Sequence, residues 1–101
     1  MRKVILSKRA SNRLEKLLEY LESEWSYKVK KEFVDKLEKS INLIKKFPEG
    51  SQRSEIAKEL HQLIVTKQTT LYYRYDSKFI RIVAIFDNRM DPKKIREEIK
   101  H

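Results

Sequence analysis

Two arginines in the second half of the chain are placed to bind a negatively charged group. Arg74 and Arg81 lie in neighbouring segments rich in β-branched and aromatic residues, which predict two strands. If residues 76–79 close a tight hairpin, Arg74 faces Arg81 across the strand pair. Two like charges at such positions either turn into solvent, as exposed arginines commonly do, or share an anion. Arg89 follows the second strand, where a local ion pair with Asp87 is an alternative to binding.

The rest of the chain offers few groups for catalysis. There is no cysteine, and the two histidines do not form a metal-ligand spacing, so we expect neither a metal nor a cofactor. One glycine leaves few backbone positions that can wrap a phosphate, and no nucleophile triad is present. Any chemistry should therefore be metal-free RNA cleavage, in which cations stabilise the phosphorane and a base activates the 2′-hydroxyl. His61 is a candidate for a chemical role, and Tyr72 for a surface contact.

Charge and length limit the possible partners. The formal net charge of +9 favours an acidic partner, which leaves nucleic acid, an anionic membrane surface or an acidic protein segment open. The first residues lack the apolar core of a signal peptide, and no apolar run approaches the ~18 residues of a membrane span. We therefore expect one cytoplasmic domain over residues 1–101 with no membrane association.

The first half predicts a short strand and two amphipathic helices. The strand covers residues 4–6, and Ser7 follows as a helix N-cap. Ser26 caps the second helix, which ends at Phe47 because Pro48 disfavours helical geometry at the preceding residue. The apolar positions, spaced by three and four, are Ala10, Leu14, Leu17, Leu18, Leu21 and Trp25, then Val29, Phe33, Leu37, Ile41 and Ile44. Two helices joined by so few residues predict an antiparallel hairpin.

The second half predicts the sheet on which this hairpin packs. Residues 51–54 are polar and loop-like, and a strand is expected near Val65. Strands over residues 69–75 and 79–86 follow, and a short charged helix covers residues 93–100. The order β-α-α-β-β-β with a short C-terminal helix indicates an α+β fold, with the N-terminal strand and helical hairpin on a mainly antiparallel sheet.

Alternation along the predicted hairpin divides its side chains between two faces. The side assigned to the core under the helices carries Leu71, Tyr73, Tyr75, Ile80, Ile82, Ala84 and Phe86. The open side carries Thr70, Tyr72, Arg74, Arg81, Val83, Ile85 and Asp87. The candidate anion site therefore lies on the sheet face that the helices leave uncovered.

A succession of short motifs resembles the RelE/ParE superfamily of bacterial toxins from type II toxin–antitoxin modules. The motifs are residues 4–7 with Ala10, the helix of residues 14–21, Trp25, Phe33, Phe47 with Pro48, the run Leu71-Tyr72-Tyr73-Arg74-Tyr75, and residues 85–92. The resemblance covers nearly the whole chain and implies a RelE/ParE-like fold. It also implies a compact toxin that is wrapped and inactivated by a cognate antitoxin. A small acidic antitoxin would fit the charge of +9.

The superfamily divides into two functional branches. Some residues of this chain match the superfamily's motifs, and others depart from them. RelE-like members cleave mRNA in the ribosomal A site, whereas ParE-like members poison DNA gyrase. Arg74 matches the arginine of the Tyr-Arg strand motif, and Arg89 matches the arginine beyond the last strand. Thr70 stands where an arginine is often found, and Asp87 where many relatives carry a histidine. No tyrosine follows the last strand.

These departures favour a ParE-like toxin that acts by binding, with DNA gyrase as the first target. The candidate binding residues are Arg74, Arg81, Arg89 and Tyr72. The alternative is a ribosome-dependent mRNA endoribonuclease, in which His61, Lys58 or Lys67 joins the arginines in the missing catalytic roles. A third hypothesis, resting on charge alone, is a basic nucleic-acid-binding module without toxicity.

Overall fold

The structure, a computed structural model, describes residues 2–50, 52–53 and 59–87 of the chain. The elements in chain order are β1 (Lys3–Leu6), α1 (Lys8–Glu24), α2 (Tyr27–Lys46), a 3₁₀ turn (Pro48–Gly50), β2 (Gln52–Arg53), β3 (His61–Ile64), β4 (Thr69–Tyr75) and β5 (Phe79–Asp87). The predicted α+β class and the order of its elements are confirmed. The predicted helix over residues 93–100 lies outside the described residues.

The strands form one sheet in the order β1-β5-β4-β3-β2. β1 is parallel to β5, and every other neighbouring pair is antiparallel, so the prediction of a mainly antiparallel sheet is confirmed. β2 lies in a segment predicted to be loop. A two-residue strand is too short to leave a periodicity in the sequence, and its position depends on the free edge of β3 rather than on local propensity.

Both predicted serine caps begin their helices. Ser7 Oγ accepts a hydrogen bond from the backbone N–H of Ala10 at 3.0 Å, and Ser26 Oγ accepts one from Val29 at 3.1 Å. Ser7 is also tied to the sheet, because its hydroxyl donates to the carbonyl oxygen of Val83 at 3.1 Å. The end of β1, the start of α1 and the middle of β5 thus meet at one side chain.

Removing the Ser7 hydroxyl should therefore cost more stability than removing the Ser26 hydroxyl. Ser7→Ala loses a helix cap and a half-buried bond to β5, for an expected loss of about 1–2 kcal/mol in the free energy of unfolding. Ser26→Ala loses one exposed cap bond and should cost less than about 1 kcal/mol. Denaturant titrations of the two variants measure the difference, and equal losses would contradict the linking role of Ser7.

The pairing of β4 with β5 is regular at the turn and then changes register. Tyr75 lies opposite Ile80, Arg74 opposite Arg81 and Tyr73 opposite Ile82, as predicted. The next pair is Tyr72 with Ala84, so Val83 is an extra residue in β5 and forms a β-bulge. Every residue beyond Val83 therefore faces the side opposite to the one that simple alternation predicts.

The bulge overturns four of the predicted side-chain positions. Ile85 and Asp87, assigned to the open side, are 2% and 6% exposed, and Ile85 belongs to the core under the helices. Asp87 lies opposite the buried Thr69. Ala84 and Phe86, assigned to the core, instead belong to a second, smaller cluster with Leu60 and Tyr72.

The main core lies between the helical hairpin and one face of the sheet. Its buried members are Ala10, Leu17 and Leu21 from α1, Phe33, Leu37 and Ile44 from α2, and Leu71, Tyr73, Ile80, Ile82 and Ile85 from the sheet. Tyr73 is fully buried, and its hydroxyl donates to the carbonyl oxygen of Pro48 at 2.6 Å, which satisfies both polar groups. None of the helices in the described part of the chain is long and apolar enough to cross a membrane.

Candidate functional site

Arg74 and Arg81 lie directly opposite each other on β4 and β5, and both are exposed. Their neighbours in the strands, Tyr73 and Ile82, are fully buried on the helix side, so the two guanidinium groups belong to the other face of the sheet. The predicted juxtaposition is confirmed, and it places two positive charges side by side on the open face.

Neither arginine forms an ion pair with a carboxylate in the part of the chain that the structure describes, although the charge of Arg81 is felt by the Asp76 carboxylate. The Arg81 guanidinium lies 5.1 Å from the ring centre of Phe79, which is a cation–π contact. Arg74 makes no hydrogen bond, ion pair or ring contact within residues 2–50 and 59–87. Two neighbouring cations repel each other, and a shared anion that accepts hydrogen bonds from both would remove the repulsion. The pair is thus suited to a carboxylate or a phosphate.

The turn at Asp76 fixes the register that brings the arginines together. The backbone N–H groups of Lys78 and Phe79 both donate to Oδ1 of Asp76, at 2.8 Å each. These two bonds, with smaller contributions from the charges of Arg81 and Arg2, lower the pKa of the Asp76 carboxyl below its usual value of 3.8. The Arg2 side chain also reaches the turn, where its Nε donates to the Asp76 carbonyl oxygen at 2.6 Å.

The stability of this turn should depend on pH in a defined direction. Because the pKa of Asp76 is lowered by folding, its contribution is present above the unfolded pKa and is lost as the pH falls through the folded pKa. Asp76→Asn should therefore lower the free energy of unfolding at neutral pH, and the gap to the wild type should close in acid. Urea titrations at successively lower pH measure this gap. Asp35→Asn, which removes an exposed charge from α2, is the control and should show no such convergence.

His61 lies on the other side of the sheet from the two arginines. It pairs with Tyr73 across β3 and β4, and their rings stack with centroids 5.5 Å apart. Its ring is also 5.3 Å from that of Tyr75, on whose face Arg2 rests. The sheet therefore separates this aromatic cluster from Arg74 and Arg81, and the structure does not bring the candidate base together with the candidate anion site.

Of the remaining candidate site residues, the structure places Tyr72 in an apolar cluster and does not describe Lys58 and Arg89. Tyr72 is only 4% exposed, so the prediction of a surface contact is wrong, and burial raises the pKa of its hydroxyl. It packs with Leu60 and Ala84, which places it in the second apolar cluster. Lys58 and Arg89 lie outside the described residues. No group of three potential metal ligands occurs within the described part of the chain.

The apolar surroundings of the arginines were missed by the sequence reasoning. Phe79 lies two residues before Arg81 on the same strand face, and alternation alone could have identified this contact. Ile5 lies opposite Arg81 on the parallel neighbour β1 and is 39% exposed. This position could not have been predicted, because the pairing of β1 with β5 joins two ends of the chain. The open face therefore combines two cations with the exposed side chain of Ile5 and the half-buried ring of Phe79.

Two comparisons with known proteins found a match, one to a family model and one to a solved fold. The family model described as "ParE toxin of type II toxin-antitoxin system, parDE" matches residues 4–92. A solved structure titled "Chromosomal ParDE TA system from P. aeruginosa" is similar in fold, with a TM-score of 0.71 over 86% of this chain and 96% of that chain. Its sequence identity is 16%, so this likeness concerns the fold alone. No curated protein sequence matches the chain.

Proposed function

The chain belongs to the ParE toxin family of type II toxin–antitoxin systems, and from this premise we propose that it arrests bacterial growth by binding an essential target. DNA gyrase is the first target to test. The observation that carries the proposal is the pair of exposed guanidinium groups of Arg74 and Arg81, which face each other and form no ion pair in the described structure. Such a pair can bind a carboxylate or a phosphate on the target through forked hydrogen bonds.

Action by binding accounts for the arrangement of the candidate residues better than catalysis does. Cleavage of RNA needs a base close to the cations that stabilise the phosphorane. His61 lies on the helix-covered face, opposite Tyr73, whereas Arg74 lies on the open face. The open face can bind a charged surface without any proton transfer, and the exposed Ile5 with the half-buried Phe79 would add contact area.

The proposed regulator is a cognate antitoxin. The solved relative from P. aeruginosa is titled as a ParDE toxin–antitoxin system, and this chain should have a corresponding partner. A net charge of +9 would be complemented by a small acidic protein, which would also be drawn to the toxin quickly by long-range attraction. Both partners would act in the cytoplasm, where the target lies.

Controlled induction of the chain in bacteria tests the proposal. We expect growth arrest, with filamentation and a DNA-damage response, and inhibition of DNA supercoiling by purified gyrase when the purified chain is added. Rapid loss of translation with codon-phased cuts in mRNA would instead identify a ribosome-dependent endoribonuclease. Normal growth in the absence of an antitoxin would contradict a toxin function of either kind.

A further inference from the structure

The two helices of the hairpin meet at a tip that exposes three large aromatic side chains. Tyr20, near the end of α1, is 42% exposed, Trp25, which caps that helix, is 61% exposed, and Tyr27, the first residue of α2, is 66% exposed. We call residues 19–31 the hairpin tip. Aromatic rings contribute large apolar surfaces when they are buried, so three of them in one short segment mark a surface suited to a partner.

The charges of the hairpin tip stand at the wrong ends of their helices. The last turn of α1 has Glu22 and Glu24 but no basic residue, and the first turn of α2 has Lys28 and Lys30 but no acidic residue. A helix dipole favours cations at the C-terminal end and anions at the N-terminal end, so both arrangements are unfavourable within the chain. Lys30 Nζ donates to Glu22 Oε2 at 2.9 Å, which compensates these two charges. Glu24 and Lys28 are exposed and form no ion pair in the described structure, so both can pair with a partner.

We propose that the hairpin tip binds the hairpin tip of a second copy of this chain in a contact with twofold symmetry. The aromatic rings of the two copies pack together, and Glu24 of each copy pairs with Lys28 of the other. Such a contact brings a surface onto itself, so the surface must be complementary to itself. The hairpin tip meets this condition because its glutamates and lysines are equal in number, so its formal charge is zero. They are Glu19, Glu22 and Glu24, and Lys28, Lys30 and Lys31.

The charge distribution favours a second copy over other partners. The whole chain carries a formal net charge of +9, so two copies repel each other wherever their basic surfaces meet. A neutral segment with both signs of charge avoids this repulsion. Nucleic acid and an anionic membrane fit less well, because the three glutamates of the hairpin tip would face their phosphates.

The hairpin tip is remote from the arginine pair. Leu21 and Val29 of the tip line the same pocket as Thr69, which begins β4. Arg74 lies five residues further along that strand, or about 17 Å, and on the opposite face of the sheet. A dimer formed through the tip therefore leaves the arginine pair of each copy uncovered, and the proposal does not depend on the toxic action. A stable interface takes about 20–30 residues from each partner, so this smaller contact should be weak, with a dissociation constant on the order of 100 µM.

Sedimentation equilibrium of the full chain, at concentrations from about 10 µM to about 1 mM, tests the proposal. We expect the wild type to pass from monomer to dimer over this range. Trp25→Ser with Tyr27→Ser should raise the dissociation constant at least about tenfold, because two central aromatic contacts are lost. Ile64→Ser, which removes an apolar side chain 65% exposed on β3, is the control and should stay within about twofold of the wild type. A wild type that is monomeric at every concentration, or equal weakening by the control, would overturn the proposal.

An exchange of charges tests the symmetry of the contact. Glu24→Lys alone and Lys28→Glu alone each place like charges opposite each other at both symmetric positions, so each should weaken the dimer at least about tenfold. An equal mixture of the two variants can form a mixed dimer in which both pairs are restored, with a dissociation constant within about threefold of the wild type. Glu15→Lys makes the same change of charge at an exposed position of α1 outside the tip and should have no such effect. A mixture that associates no better than either variant would refute the symmetric contact.

Two further measurements exclude other causes of a lost dimer. Glu24→Lys and Lys28→Glu each install the charge that the local helix dipole favours, so thermal melting should show both variants at least as stable as the wild type. Vesicles of phosphatidylcholine and phosphatidylglycerol should not retain the chain through the hairpin tip. Vesicle binding that is lost only in the Trp25→Ser, Tyr27→Ser variant would assign the aromatic rings to a membrane and overturn the proposal.

Discussion

Replacing Arg74 and Arg81 together by glutamine should abolish growth arrest while the protein stays folded. Both side chains are exposed, and Arg74 has no hydrogen bond or ion pair in the described structure. Arg81 would lose a cation–π contact with Phe79, worth about 0.5–1 kcal/mol at an exposed site, and the loss of the repulsion between the two charges would offset it. A loss of toxicity would therefore report on target binding rather than on folding.

The expected effect is large because a charged hydrogen bond to a target contributes about 1.5–3 kcal/mol. Loss of both arginines should then weaken target binding by a factor on the order of a hundred or more. Each single change should be intermediate. Arg74→Lys should also lose affinity, because a lysine keeps the charge but cannot form the two-pronged bond.

The measurements are the inducer concentration at which growth stops and the affinity for the purified target. Lys28→Gln with Lys31→Gln removes two exposed charges from α2 and controls for net charge. If the double arginine variant arrests growth at the same inducer concentration as the wild type, Arg74 and Arg81 do not form the target-binding site. If the lysine control loses as much toxicity and target affinity as the arginine variant, the effect is due to the lower net charge and not to the arginine pair.

The position of the arginine pair was predictable because it depends on a local turn. Asp76 accepts both turn N–H groups, and the two arginines are only a few residues from it on either side. Because the turn that sets the register is only a few residues from both arginines, their pairing can be predicted without information from the rest of the chain. His61 and Tyr72 were less predictable for the opposite reason. The face of His61 depends on where β3 joins β4, and the burial of Tyr72 depends on contacts with distant residues such as Leu60.

The fold was predictable as far as regular periodicity extends. Helix spacing and the serine caps located α1 and α2, since these signals are local. The bulge at Val83 was not predictable, because residues 82–85 are all apolar and no polar side chain marks which of them faces solvent. The contact that supports it is also remote, with the Ser7 hydroxyl donating to the Val83 carbonyl oxygen from the other end of the chain.

Because of the bulge, we expect Val83 and Ile85 of β5 to differ in their contribution to stability, although regular alternation would place both on the same face. Val83 and Ile85 are two apart, so regular alternation places both on one face and gives them similar costs on truncation. In the structure Ile85 is 2% exposed in the main core, whereas Val83 is only partly buried beside the second cluster. Ile85→Ala should lower the free energy of unfolding by about 2–5 kcal/mol, as for other large-to-small changes in a packed core.

Val83→Ala is the matched control and should cost about 1 kcal/mol, because fewer buried carbons are removed and solvent can fill the space. Guanidinium titrations of both variants give the two losses, and the slopes should match that of the wild type if only the native packing changes. Equal losses would contradict the bulge. The same result would place Ile85 and Asp87 on the open face, as regular alternation predicts. The extra residue in β5 thus decides which apolar side chains of that strand complete the core under the helices.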